Sequence, residues 1–434
     1  MNINGLSFNA LPPIDIPFRF FITAVCFVLC STLVLFFHHE EIWLSRWHPL
    51  TIMFTHGFTL GFITTVMMGA IYQLLPVIGG VGVNNVANCG KISHLLHTFG
   101  SAALMLGFLL SSTEFMIAAM ILLALNFGFY IITISLVLVK KLSQGPTIIG
   151  IRLAVAALVV TVIMGILLVT RMLGIELISS DKALTNIHLL WGLGWVSLLI
   201  MSVSFQVVPM FHVAPNFNKQ VMRLIPLGIF LSLCILLLIE KSALNIELIT
   251  GVILVLHCLY AINLLSILQK RKRKIPDTSI QFWQLAAFSL FVISLLFFIP
   301  QSMLPNLLQS QFALLLGTGY IFFFATSIIL AMLLKIMPFL SYTHLQQRCL
   351  MNFSAMAFLP NMHEFISKQQ GKLLYVFHLI SCGLLLTTLC YLPISIISLL
   401  FALSLLIEFS WLLYLMIKTC LIYRKSYQKI LTTR

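Results

Sequence analysis

The sequence predicts an all-α polytopic membrane protein with twelve transmembrane helices, written as three pseudo-repeats of four. Three observations lead there. The 434 residues are 60% hydrophobic and only 8% charged, with a mean hydropathy of +1.08, whereas a soluble domain carries roughly 25% charged residues. Twelve apolar runs approach or exceed the ~20 residues that a bilayer-crossing helix requires. A short signal, Gln or Lys followed three residues later by Pro, recurs at Gln73/Pro76, Gln206/Pro209 and Lys335/Pro338. Its separations, 206 − 73 = 133 and 335 − 206 = 129 residues, set a period near 130, and such a period marks a repeated unit. The units fall at about 1–141, 142–274 and 275–434 within a single transmembrane domain.

Taken in order, the runs lie at roughly 17–37, 49–77, 92–112, 115–139, 148–171, 185–210, 221–240, 246–268, 281–300, 311–338, 372–391 and 393–417. Helices 1, 5 and 9 open at matching places, with Phe18-Arg19, Ile151-Arg152 and Phe282-Trp283. Helices 2, 6 and 10 carry the proline signal, and a proline without its N–H predicts a helix end there. Gln73, Gln206 and Lys335 are placed to satisfy the carbonyl that the proline frees. Helices 2 and 6 also share Gly61-Phe62 with Gly194-Trp195, and Met68 with Met201. Helices 4, 8 and 12 run into basic ends. Residues 339–371, with Pro360, form the long connection and are read as an interfacial amphipathic segment.

Charge fixes the orientation. With both termini cytoplasmic, 20 of the 25 Lys and Arg residues fall on the cytoplasmic side and four outside, with Lys335 inside a helix. This follows the positive-inside rule, and the run Lys270–Lys274 is a topological anchor rather than a nucleic-acid site. The nine cysteines contain no C-x-x-C and sit largely in apolar runs, so no disulfide framework is expected. The N-terminus has no cleavable signal pattern.

The candidate chemistry lies in histidines and intramembrane polar groups. His56 and His188 stand 17 and 18 residues before Gln73 and Gln206, at equal depth toward the outer face, where an imidazole is costly unless paired or coordinated. His257 lies midway along helix 8 near Tyr260. His94 and His97, at i and i+3, share one face of helix 3 and have a metal-chelating spacing. His378 opens helix 11 and reads as interfacial. The loop His38-His39-Glu40-Glu41 with His48 reads as a solvated loop. Lys335 and Glu408 are charges within the hydrocarbon, and a mutual ion pair is the expected arrangement.

Twelve helices in three groups of four, with outer-third histidines on helices 2 and 6, resemble subunit I of the haem–copper oxidases. The chain is more similar to the subunit I-like bacterial membrane proteins that include the NnrS family. The motifs that carry the likeness are His56, Gly61-Phe62 and Leu75-Pro76 on helix 2. On helix 6 they are Gly194-Trp195 and the run from Gln206 to Phe211, and on helix 10 Pro338-Phe339. The resemblance implies haem b and/or copper as cofactor, with His56 in the place of a low-spin haem ligand and His188 where the oxidases begin their copper site. It also implies a bacterial inner membrane. The chain departs from the oxidases in having no histidine in 311–338 or 221–240. The full binuclear centre therefore cannot be built in the usual way, and dioxygen reduction is not expected. Three functions follow: a haem- or copper-binding protein in nitric oxide response, electron transfer or metal handling, with a redox or metal-delivery partner; a transporter on the same fold without cofactor; or a non-catalytic oxidase assembly subunit. No catalytic residue is identified.

Overall fold

The computed structural model describes residues 12–140, 145–175, 181–239, 242–350, 353–390 and 395–432. Among them every regular element is helical. Twelve helices are long and apolar enough to cross a membrane: α1 Asp15–Phe37, α2 Pro49–Ile78, α3 Val86–Leu110, α4 Thr113–Val139, α5 Pro146–Met172, α6 Asp181–His212, α7 Lys219–Leu238, α8 Ala243–Gln269, α9 Thr278–Leu296, α10 Leu308–Cys349, α11 Lys368–Cys390 and α12 Ser395–Thr432. They correspond one to one with the twelve runs, and the chain is a multi-pass membrane protein. Local chemistry sets their starts. Ser112, Asn218, Ser242 and Asp277 accept a backbone N–H at the N-termini of α4, α7, α8 and α9, and Pro49 and Pro146 occupy the first turns of α2 and α5.

Burial separates the helices into two classes. The most apolar windows of α2 and α10 are 78% buried and that of α6 is 72%, while those of the other nine span 28–56%. The three helices carrying the proline signal therefore form the inner core, and the others surround them. Consecutive outer helices pack as α3 on α4, α7 on α8 and α11 on α12, while α4 packs on α5, α8 on α9, and α12 returns to α1. The first and last helices thus close the ring.

The prolines do not end their helices. Pro76, Pro209 and Pro338 lie inside helical segments that continue to Gly79, His212 and Cys349. The missing N–H costs one hydrogen bond but leaves the following turns free to form. Each of the first two proline carbonyls then accepts a terminating bond, from Gly80 N (3.0 Å) and Ala214 N (3.3 Å). Gly80 adopts φ 70, the left-handed helix stop that glycine tolerates best. The long connection is also shorter than expected. α10 absorbs it as far as Cys349, and the described remainder consists of two short turns, Phe353–Phe358 and Met362–Phe365. Pro393, which opens the last apolar run, lies outside the described residues.

α2 and α10 share a second feature that the sequence reading did not anticipate. Each contains an eight-residue π-helical stretch, Gly57–Thr64 and Gly319–Thr326. A π turn is wide and rare. Here threonine hydroxyls help to hold its carbonyls: Thr64 donates to Thr59 O (2.8 Å), Thr65 to Leu60 O (3.1 Å) and Thr326 to Ile321 O (2.9 Å). The two stretches meet through the Phe58 and Phe322 rings, 5.9 Å apart. α1 lies close against α2 over glycines. A Cβ on Gly61 would stand 2.8 Å from Phe27 Cβ, and one on Gly69 would stand 2.6 Å from Phe20 Cβ. Gly69→Ala is therefore expected to destabilise the fold by about 1–3 kcal/mol through overpacking, read as a lower unfolding temperature in detergent. Unchanged stability would show that α1 is free to move away.

Candidate functional site

His56 and His188 come together. Each is the eighth residue of its helical segment, counted from Pro49 and from Asp181, so both sit at the end of the core opposite the prolines. Their ring centres are 6.4 Å apart and their planes differ by 18°. His56 Nδ1 faces Ile52 O at 2.8 Å, and His188 Nδ1 faces Thr161 O at 3.1 Å. A carbonyl only accepts, so both Nδ1 atoms carry hydrogen and both Nε2 atoms keep a free lone pair. This is how metal-binding histidines are usually oriented. Two imidazoles that bind one ion along a line, with N–metal bonds of about 2.0–2.1 Å, have ring centres roughly 6 Å apart. The Phe108 ring centre lies 5.9 Å from that of His56, with the planes 20° apart. Gly165 leaves room for the His188 ring, since a Cβ there would meet His188 Cε1 at 3.2 Å. Arg46, just before α2, donates to Asn186 Oδ1 at 2.6 Å, near His188.

His94 and His97 do not converge. His94 Nε2 faces Thr23 Oγ1 on α1 at 2.9 Å. His97 is fully buried, with Nε2 3.2 Å from Leu60 O and 3.0 Å from Thr65 Oγ1, while Asn126 Nδ2 donates to its Nδ1 at 3.1 Å. Both of its ring nitrogens are occupied by protein, so the expected chelate is not assembled. His97 instead holds a carbonyl of the α2 π stretch. Among the described residues no three His, Cys, Asp or Glu side chains gather as a metal cage, and a centre built on His56 and His188 has two protein ligands.

His257 is buried in α8, with Nδ1 2.7 Å from Ile253 O and its ring 6.0 Å from Tyr320 on α10. Its Nε2 is buried without a protein partner. It packs against Tyr320 rather than joining the His56–His188 pair.

The expected Lys335–Glu408 pair is replaced by two separate pairs. Lys335 Nζ binds Asp277 Oδ2 at 2.5 Å, and His378 Nδ1 meets Glu408 Oε1 at 2.7 Å. Asp277 caps α9 and reaches back to α10. Ser327, the α10 residue beside His378, precedes Lys335 by eight positions, roughly 12 Å of helix, and that separation keeps Lys335 from Glu408. Burial works to raise the Asp277 carboxyl, but Lys335, and behind it His212, outweigh it and hold the carboxyl below its ordinary value. Stability from this pair is therefore present above the ordinary carboxyl pKa of about 3.9 and is lost as pH falls through the depressed value. Asp277→Asn is expected to cost about 1.5–3 kcal/mol at neutral pH. A loss of the same size at pH 2 would argue against an ionic origin.

His378 and Glu408 are both fully buried. His378 is the eleventh residue of α11 rather than an interfacial opening residue, because the helix starts at Lys368. The sequence signal for this was weak: an apolar run bounded by Lys372 hides four helical residues before it. Asn126, Thr65 and Ser327 were not singled out, since isolated polar residues in apolar runs carry no motif. The loop histidines stay apart, with His38 facing Glu41 and His39 facing Ser395.

Between α2, α6 and α10, toward their proline ends, lies a cavity of about 130 Å³ lined by residues such as Val66, Ala70, Gln73, Val203 and Ile329. Gln73 supplies one of its few polar groups, while Gln206 is half-buried on α6. Drug-sized ligands occupy about 300–1,000 Å³, so a porphyrin does not fit there, and no histidine lines it. No protein-family model matches the chain, and no curated protein matches it.

Proposed function

We propose that this is a membrane protein that holds one transition-metal centre, haem iron or copper, between His56 and His188. The observation that carries the reading is the pair itself: two imidazoles 6.4 Å apart, each with Nδ1 turned to a main-chain carbonyl. Imidazole suits iron and copper alike. His56 and His188 would hold the group, and Arg46, bonded to Asn186 near His188, would supply a counter-charge to an anionic one. When bound, either group supplies one-electron chemistry. The protein supplies the orientation of the two rings, each held at Nδ1 by a main-chain carbonyl.

The architecture supports the three-unit reading and the likeness to subunit I of the haem–copper oxidases. Gln73 and Lys335, Thr65 and Ser327, and the first residues of the π stretches, Gly57 and Gly319, are all separated by the same 262 residues (335 − 73, 327 − 65, 319 − 57). The three inner helices and the unit-to-unit contacts α4/α5, α8/α9 and α12/α1 fit a ring of three. α7 contains no histidine, and the His344 that extension adds to α10 is tied to Tyr423 at 2.7 Å. The reading is therefore electron transfer, metal handling or gas response rather than dioxygen reduction. The charge bias supports cytoplasmic termini, and a bacterial inner membrane follows from the family likeness. The cavity favours transport as the second reading, by movement of the inner helices around it. Haem and metal analysis of the purified protein separates the two. One haem or copper per chain supports the first, and a colourless, metal-free protein that takes up neither would overturn it.

A further inference from the structure

We propose that Ser327, His378 and Glu408 form a proton-binding site inside the membrane domain. The case rests on comparing two triads that are built alike. On α10, α11 and α12, Ser327 Oγ lies 2.8 Å from His378 Nε2, and His378 Nδ1 lies 2.7 Å from Glu408 Oε1. On α2, α3 and α4, Thr65 Oγ1 lies 3.0 Å from His97 Nε2, and His97 Nδ1 lies 3.1 Å from Asn126 Nδ2. Every imidazole, amide and carboxyl group in both triads belongs to a fully buried residue.

The proton count differs. Ser327 already donates its hydroxyl hydrogen to Phe323 O at 2.8 Å, so its oxygen accepts and His378 Nε2 must carry hydrogen. Thr65 likewise donates to Leu60 O, so His97 Nε2 carries hydrogen. In the α2–α4 triad the Asn126 amide donates to Nδ1, and a neutral imidazole closes the network. A carboxylate has no hydrogen to donate. The 2.7 Å contact between His378 Nδ1 and Glu408 Oε1 therefore needs one further proton, held on either atom. Without it two lone pairs would face each other in a low-dielectric interior. Glu408 Oε2, buried and without a protein partner, adds an unfilled acceptor where a water could deliver or remove that proton.

The groups facing the dyad are few. Ser327 and the Phe322 ring come from α10, and the Phe282 ring from α9. Cys382, on α11 itself, places Sγ 3.6 Å from His378 Nε2. The Phe409 ring beside Glu408 on α12 meets Phe58 and Phe62 of α2. In the exchange, the O–H or N–H bond at the Glu408–His378 contact breaks and its proton passes to water, and uptake is the reverse. Loss of the proton leaves a carboxylate against a lone pair. That repulsion pushes His378 away from Glu408 and loosens its hold on Ser327, one residue beyond the π stretch of α10.

Glu408→Gln tests this, because it gives the site an amide donor of the kind that Asn126 already provides. Full-length protein labelled with ¹⁵N-histidine is studied in lipid nanodiscs by NMR, with infrared difference spectroscopy across pH. The parent is expected to show either one buried imidazolium or one protonated carboxyl group, and E408Q to lose that signal completely while keeping the other histidine resonances. Absence of both signals in the parent at every pH overturns the proposal. So does their persistence in E408Q. If E408Q does not fold, His378→Gln is read for the same loss, and the parent spectra alone still decide whether the proton is there. The outcome is independent of metal binding at His56 and His188.

Discussion

Alanine at His56 or at His188 is expected to abolish stoichiometric metal or haem binding, with each single variant losing more than roughly 100-fold in affinity. The estimate comes from position in the coordination sphere. Groups that only orient a metal-binding histidine cost 10–100-fold when removed, and these two rings would make the bonds themselves. With two protein ligands, losing one halves the donor set. A graded control comes from Gly165, where a side chain would press on His188 Cε1, 3.2 Å from a built Cβ. Gly165→Val should tilt the ring and weaken binding less than its removal does. Absorption spectra, metal analysis and titration with copper or haem check all three. If His188→Ala retained full binding, the pair would not be the centre and His257, with its unpartnered Nε2, would become the next candidate.

The second large effect concerns stability. His378→Leu is expected to destabilise the protein by about 3–5 kcal/mol, the usual cost of stranding one member of a buried ionic pair. Glu408→Gln should cost no more than about 1 kcal/mol, because an amide can hold His378 Nδ1 as Asn126 holds His97. Both partners are 0% exposed, so water cannot take over the lost contact. Thermal unfolding of the two variants in one detergent compares them directly. Equal losses would mean that packing volume, and not charge pairing, governs this site.

Much of this was legible in the sequence. Twelve apolar runs marked the helices because bilayer thickness dictates their length, and the spacing of Gln73, Gln206 and Lys335 pointed to α2, α6 and α10 as counterparts, which proved to be the three most buried helices. His56 and His188 were matched in depth by counting from those markers. What stayed hidden depends on contacts between helices. Asp277 sits outside an apolar run, so nothing local connects it with Lys335. Glu408 is fully buried, and its partner His378 reads as interfacial in the sequence because the apolar run starts four residues later than the helix. The π stretches leave no mark in hydropathy, since Gly57–Thr64 and Gly319–Thr326 are as apolar as ordinary helix.

Those stretches give α2 and α10 a point of variable pitch. Part of the winding there is held by side-chain hydroxyls and one imidazole instead of by the backbone ladder alone. Rewinding such a turn would exchange a few hydrogen bonds and rotate one half of the helix against the other. On α2 the half that turns carries His56, next to Gly57; on α10 the hinge ends beside Ser327. A change at either end would reach the other as torsion along a shaft, because the Phe58 and Phe322 rings bring the two shafts into contact.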